Sequence, residues 1–218
     1  YAGAVQGISL SHWLSESLRQ RVNDTNNTLY IYFQTAFSWL LSSYSQQTDF
    51  CFGSSVASRG REELRPLVGP LLNTLVLRQQ LDGNPSFDEA LKRTQTVTAG
   101  AFDNQDLPLE QLQDLLKSDE DKVAKAAQSL FQVMFVHVAL PDSQSVSLPG
   151  TQVDIIVPEQ RHARFDLTLR VLEPSGGDIR LEMEYSAELF DAKTVTRLLN
   201  HLEEILVQTL AKPMTRLS

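Results

Sequence analysis

Four histidines, one cysteine and a few closely spaced carboxylates are the groups in this sequence that could do chemistry. His12, His137, His162 and His201 stand apart from one another. None has a carboxylate or a second histidine at the spacing a metal site uses. His12 and His201 fall on helix faces that read as solvated, and His137 lies inside an apolar strand, where a hydrogen-bonded core histidine is the commoner case. Cys51 alone can form neither an internal disulfide nor a thiolate cluster. Glu182 and Glu184 share one face of a strand; a carboxylate pair can do acid–base work, but a solvent-facing strand is the simpler reading. The acidic run "DLLKSDEDK" (114–122) reads as a solvated face or loop. There is no G-x-S-x-G elbow, phosphate loop or dinucleotide fingerprint. The last candidate is an amide. In "VGPLLNTLVLR" (68–78), Asn73 and Thr74 interrupt two apolar runs. A buried amide is costly unless hydrogen-bonded, so Asn73 must anchor something or face something.

The elements that position these groups alternate along the chain. Apolar residues at 10, 13, 14, 18 and 22 predict a helix over 9–22, and a denser stripe from Leu29 to Tyr44 predicts a buried helix over 27–45. Alternation predicts strands at 49–57 and 73–78. Ser86 and Glu89 have the spacing of a capping box and open a helix over 86–102. Pro108 suits the first turn of a short helix over 108–116. Strands are expected at 130–140 and 151–157, and a hairpin from 164–173 to 178–187 around "PSGG". A helix over 191–211, with Asp191 as N-cap, closes the chain. Helices mixed with paired and separated strands give a single α/β (α+β) two-layer sandwich.

Composition narrows the function classes. With 42% hydrophobic and 21% charged residues the chain is an ordinary globular protein long enough for a sizeable core. A net charge of −8 with scattered Lys and Arg argues against nucleic acid and anionic membrane surfaces as partners. No apolar run reaches the roughly 20 residues of a membrane span. The start "YAGAVQGISL" lacks the features of a signal peptide, so a cytoplasmic location is expected and the sequons at Asn23 and Asn26 are read as unused. A first residue other than methionine suggests a piece of a longer chain.

The order of motifs goes further. "DFCFGSSVASRGREELRPLVGPLLNTLVLR" (49–78) resembles the stretch "D-x-x-x-G-x-x-x-x-x-R … G-x-F-V-N-T-x-x-x-R" of condensation domains of nonribosomal peptide synthetases. "FDNQDLPLEQL" (102–112) is similar to that family's "H-Q-D-x-P-F-E", and "SLFQVMFVH" (129–137) to its "P-L-F-Q-V-M-F" strand. "RFDLTLRV" and "EMEYSAELFDAKTVTRLLNHLEEIL" resemble its closing strands and helix. Leu71 and Leu72 replace an aromatic–valine pair, Asn104 a histidine and Leu109 a phenylalanine, substitutions that keep size or hydrogen-bonding character. The family's "H-H-x-x-x-D-G" has no counterpart in this chain.

The resemblance implies the C-terminal lobe of such a domain over residues 1–218, a chloramphenicol acetyltransferase-like lobe with a mixed sheet flanked by helices. Residues 49–66 would be a strand and floor-type loop, and 138–166 a crossover or latch-type segment reaching toward the N-terminal lobe. The whole domain would be an acyltransferase joining a donor thioester to an acceptor amine, both delivered on the phosphopantetheine of carrier proteins. The implied partners are the N-terminal lobe, donor and acceptor carrier proteins and an adjacent adenylation domain. No cofactor or metal would bind this lobe directly, no catalytic residue would lie on it, and alone it would be inactive. Arg59, Gly69, Asn73, Thr74, Arg78, Gln105, Asp106 and Asp166 are the motif residues expected to line the tunnel or hold it together. Asn73 and Thr74 would start a strand near the tunnel centre; Asn73 either faces the channel or, as buried amides more often do, anchors a loop, here the one with Arg59 and Gly60. Arg59 would fix that loop, and Gln105 and Asp106 would tie segments together. Two alternatives stay open: a non-catalytic carrier-protein-binding module, and a lobe of a related epimerisation or heterocyclisation domain.

Overall fold

The computed structural model describes residues 2–57, 62–64, 66–69, 71–117, 130–140 and 162–216. Side-chain caps start the helices. Ser11 caps α1 (His12–Asp24) and Thr28 caps α2 (Leu29–Ser45), each accepting from a backbone N–H of the first turn. The expected capping box forms at α3 (Phe87–Asp103): Ser86 Oγ accepts from Glu89 N–H while the Glu89 carboxylate accepts from Ser86 N–H at 2.7 Å. Asp191 caps α5 (Ala192–Ala211) by accepting from Thr194 N–H at 2.7 Å. The short α4 spans Leu109–Lys117.

Six strands complete the fold: β1 (Gly3–Ser9), β2 (Asp49–Ala57), β3 (Leu72–Gln80), β4 (Val133–Leu140), β5 (Leu167–Pro174) and β6 (Arg180–Ser186). They form one mixed sheet in the order β1-β6-β5-β4-β2-β3. β4 runs parallel to both β2 and β5, and the remaining pairs are antiparallel. The α/β fold is therefore the one expected, with one addition. β1 was not expected from the sequence, because "GAVQGIS" carries two glycines and a weak alternation; its partner β6 lies far along the chain. The strand expected at 151–157, and positions 141–161 of the crossover-type segment, fall outside the described residues.

One face of the sheet forms the core with the helices. Phe52, Leu75, Leu77, Phe135, Leu169, Val171, Leu181 and Met183 merge with Phe33 and Phe37 of α2 and Leu199 and Leu202 of α5. α2 is buried nearly all round, as its density of apolar residues requires. In α1 the stripe holds at Leu14, Leu18 and Val22, but Trp13, expected on it, is 62% exposed. On the opposite face Phe131 stacks on Phe165, ring centroids 5.6 Å apart, and covers Gly53. That face also corrects the reading of the strand carboxylates. Glu184 is buried and ion-paired with Arg170 at 2.6 Å, whereas Glu182 meets Arg180 at 3.1 Å. A carboxylate withdrawn from water needs such a partner. Among the described residues no helix is long and apolar enough to cross a membrane, and no group of side chains could hold a metal ion.

Candidate functional site

β2, β4 and β5 run in one direction, so their carboxyl ends share a rim of the sheet. Crevices at such ends are where open α/β sheets bind ligands. β3 is antiparallel to β2 and begins at this rim, which places Asn73 and Thr74 there. α3 ends beside it, and the 104–107 turn follows.

Asn73 is fully engaged. Its Nδ2 donates to the carbonyls of Gln105 and Leu107, both at 2.8 Å, and its Oδ1 accepts from Thr74 N–H at 2.8 Å. One side chain thus staples the turn after α3 to the start of β3. Among the described residues the segment it holds is this turn; the loop of Arg59 and Gly60, which the sequence suggested, lies outside them. Asn73, Thr74, Asp106 and Glu110 border a notch of about 290 Å³.

The other motif residues scatter. Arg59 lies outside the described residues. Gly69 is exposed in a bend before β3, its carbonyl accepting from Leu71 N–H at 3.0 Å. Arg78 is five residues along β3 from Asn73, about 17 Å at strand rise, and forms a bidentate pair with Asp49. That pair holds the Asp49 carboxyl below its usual range. Asp166 precedes β5 at the far end of the sheet, its N–H donating to Gln132 O and its carbonyl accepting from Ser186 N–H. The rim therefore gathers Asn73, Thr74, Gln105 and Asp106, and leaves Arg78 and Asp166 apart.

Beside this staple lies a groove of about 730 Å³ between α1, the N-terminus of α2, the C-terminal half of α3 and the ends of β4 and β5. Three of its lining groups, Tyr30, His137 and Glu173, escaped sequence reasoning as site residues. Tyr30 donates its hydroxyl to Ser54 Oγ at 2.8 Å, and its ring lies edge-on to Phe135 and His137, centroids 5.3 and 6.2 Å away. Burial pushes the Tyr30 pKa up, and the Ser54 hydrogen bond opposes this. His137 is not the core histidine expected: its side chain is 16% exposed and opens on the groove. Its Nε2 lies 3.0 Å from Glu173 Oε2 in an approach that is off the hydrogen-bonding direction. Burial lowers the His137 pKa, and the Glu173 carboxylate works against that shift. No sequence signal marks these three as a cluster, since they come from α2, β4 and β5. His12 and His201 are exposed as expected, the first 3.1 Å from Asp178 and the second 2.9 Å from the Tyr44 hydroxyl. Among the described residues the rim contains no nucleophile with an adjacent base.

Comparison with known proteins adds the family. A model of the condensation domain matches residues 1–218. Tyrocidine synthase 3 of Brevibacillus parabrevis is 31% identical over 205 residues, 94% of this chain but 3% of the relative. The dimodular nonribosomal peptide synthase of Bacillus subtilis (strain 168) is 36% identical over 186 residues, 82% of this chain and 8% of that protein. This chain thus spans a small fraction of its curated relatives. In fold it is similar to the condensation domain of the monacolin K polyketide synthase, with a TM-score of 0.85 at 18% identity over 99% of this chain and 49% of that one. The X-domain from teicoplanin biosynthesis gives a TM-score of 0.83 at 21% identity, with 99% and 48% covered.

Proposed function

The chain belongs to the condensation-domain family, and from that premise we propose that it is the C-terminal lobe of a peptide-bond-forming domain of a nonribosomal peptide synthetase. The observation that carries this reading is the coverage: the whole chain superposes on about half, 49% and 48%, of solved condensation-type domains. The catalytic H-H-x-x-x-D-G motif belongs to the other lobe. In the complete domain, the amine on an acceptor pantetheine attacks the thioester carbonyl on a donor pantetheine. The C–N bond forms, the C–S bond breaks, the amine loses a proton and the donor thiol leaves. This lobe supplies one tunnel wall, with the Asn73 staple keeping its rim in place. Holding two reactants in register can supply roughly 7–11 kcal/mol of the barrier, so a wall without a catalytic residue still matters. Carrier proteins, the N-terminal lobe and an adenylation domain in a cytoplasmic assembly are the partners this reading requires.

Mixing the chain with carrier proteins loaded with labelled aminoacyl-pantetheine is expected to give no dipeptidyl product. Adding the upstream half of the same domain, or fusing the two halves, is expected to restore it. Product from this chain alone would mean that one of its own histidines is catalytic and would overturn the reading. A non-catalytic binding module is the second reading, favoured by the fold shared with the teicoplanin X-domain, which has been solved in complex with OxyB. Carrier-protein binding with no product from the reconstituted domain would select it.

A further inference from the structure

The groove beside the rim has an unusual charge arrangement. Among the described residues the Glu173 carboxylate has His137 as its one close partner, at 3.0 Å. Burial disfavours the protonated imidazole, so His137 does not neutralise that carboxylate at neutral pH. Among the described residues the one cation in the lining, Arg19, is committed elsewhere: its guanidinium pairs with Glu16 and donates to the carbonyl of Gly177 at 2.7 Å. The remaining surface combines aliphatic side chains such as Val22, Leu29 and Ile31 with aromatic, hydroxyl and amide groups. Phe102, Tyr30 and His137 form a row, with ring centroids 6.1 Å apart for Phe102–Tyr30 and 6.2 Å for Tyr30–His137. Because the Tyr30 hydroxyl is turned to Ser54, the ring rather than a polar tip is left for the groove. Gln95 and Asn23 also line it.

We propose that this groove is a binding site for an organic ammonium group, with the Glu173 carboxylate as counter-charge and Tyr30, His137 and Phe102 as its walls. A carboxylate without a matching cation favours a positive ligand, and aromatic rings within about 6 Å of a cation add attraction that an anion or a neutral alcohol would not receive. An anion would meet Glu173 with no free cation among the described lining residues to compensate. The inference rests on the lobe reading only for what carries the ammonium: an aminoacyl group with an amine on its side chain.

The test uses the 218-residue chain and n-pentylammonium at pH 7.5, followed by NMR shifts of the His137 and Tyr30 ring protons, with n-pentanol and pentanoate as controls. Saturable shifts with pentylammonium alone are expected, and Glu173→Gln should weaken binding tenfold or more. Equal shifts with pentanoate or pentanol, or undiminished affinity in Glu173→Gln, would overturn the proposal. Should Glu173→Gln fail to fold, Phe102→Leu decides the matter: a loss of affinity of about threefold supports the aromatic wall, and no loss removes it. Binding needs neither the second lobe nor carrier proteins, so it can be read whether or not the reconstituted domain makes product.

Discussion

The two parts of the sheet are joined in different ways. β1, β6, β5 and β4 pair along nearly their whole lengths, eight register positions linking β4 to β5 alone. β2 and β3 form an equally long ladder of nine positions. Between the two units the β2–β4 seam has two positions, Gly53↔Met134 and Ser54↔Phe135. Side chains carry what the backbone does not. Phe52 meets Phe37 and Phe135 from the core side, and Phe131 lies over Gly53 on the other. Above the seam Tyr30 spans the gap, bonded to Ser54 of β2 with its ring against Phe135 of β4. Where the ladder is short, packing and single hydrogen bonds set the geometry. That is also where the rim and its groove lie.

Changes at the seam and the staple should therefore cost more than the modest size of the side chains suggests. The largest effect is expected for Gly53→Ala. The added methyl would collide with the Phe131 ring and Met134 Sδ, and overpacking of this kind should cost about 3 kcal/mol, read as a lower urea midpoint. If the midpoint is unchanged, the seam is more pliable than the four-stranded unit and the contrast fails. Asn73→Ala leaves two carbonyls without their donor and should cost about 2 kcal/mol, while turnover per folded molecule of the reconstituted domain changes little. A hundredfold fall in turnover at unchanged stability would instead assign Asn73 to the tunnel. Tyr30→Phe removes the hydroxyl paired with the buried Ser54 and should cost about 1 kcal/mol.

The smallest effect is a pH dependence. His137 has a folded-state pKa below the ordinary 6.5, so the unfolded chain takes up this proton first. Its contribution is fully present above that value and is lost as pH falls through it. Denaturation midpoints measured between pH 7.5 and 5.5 should decline, and His137→Gln should flatten the decline. An unaltered slope in that variant would place the titrating group elsewhere.

Local signals in the sequence sufficed for much of this molecule. The capping box at Ser86 and Glu89, the Asp191 cap, the apolar stripes of α2 and α5, and the β5–β6 hairpin are settled by contacts a few residues apart. Motif order over the whole chain was enough to reach the family. Other features depend on partners that periodicity does not reveal. β1 is a strand because β6, more than 170 positions later, offers it an edge. Glu184 can be buried because the register of β5 brings Arg170 to it. His137 reads as core within its own strand and becomes a groove residue only when α2 brings Tyr30 to it and β5 brings Glu173. Asn73, half-buried between apolar runs, needed partners for its amide, a requirement legible in one residue type. Which carbonyls it found was decided by tertiary structure, because the end of α3 and the start of β3 come together only when both pack on the same core.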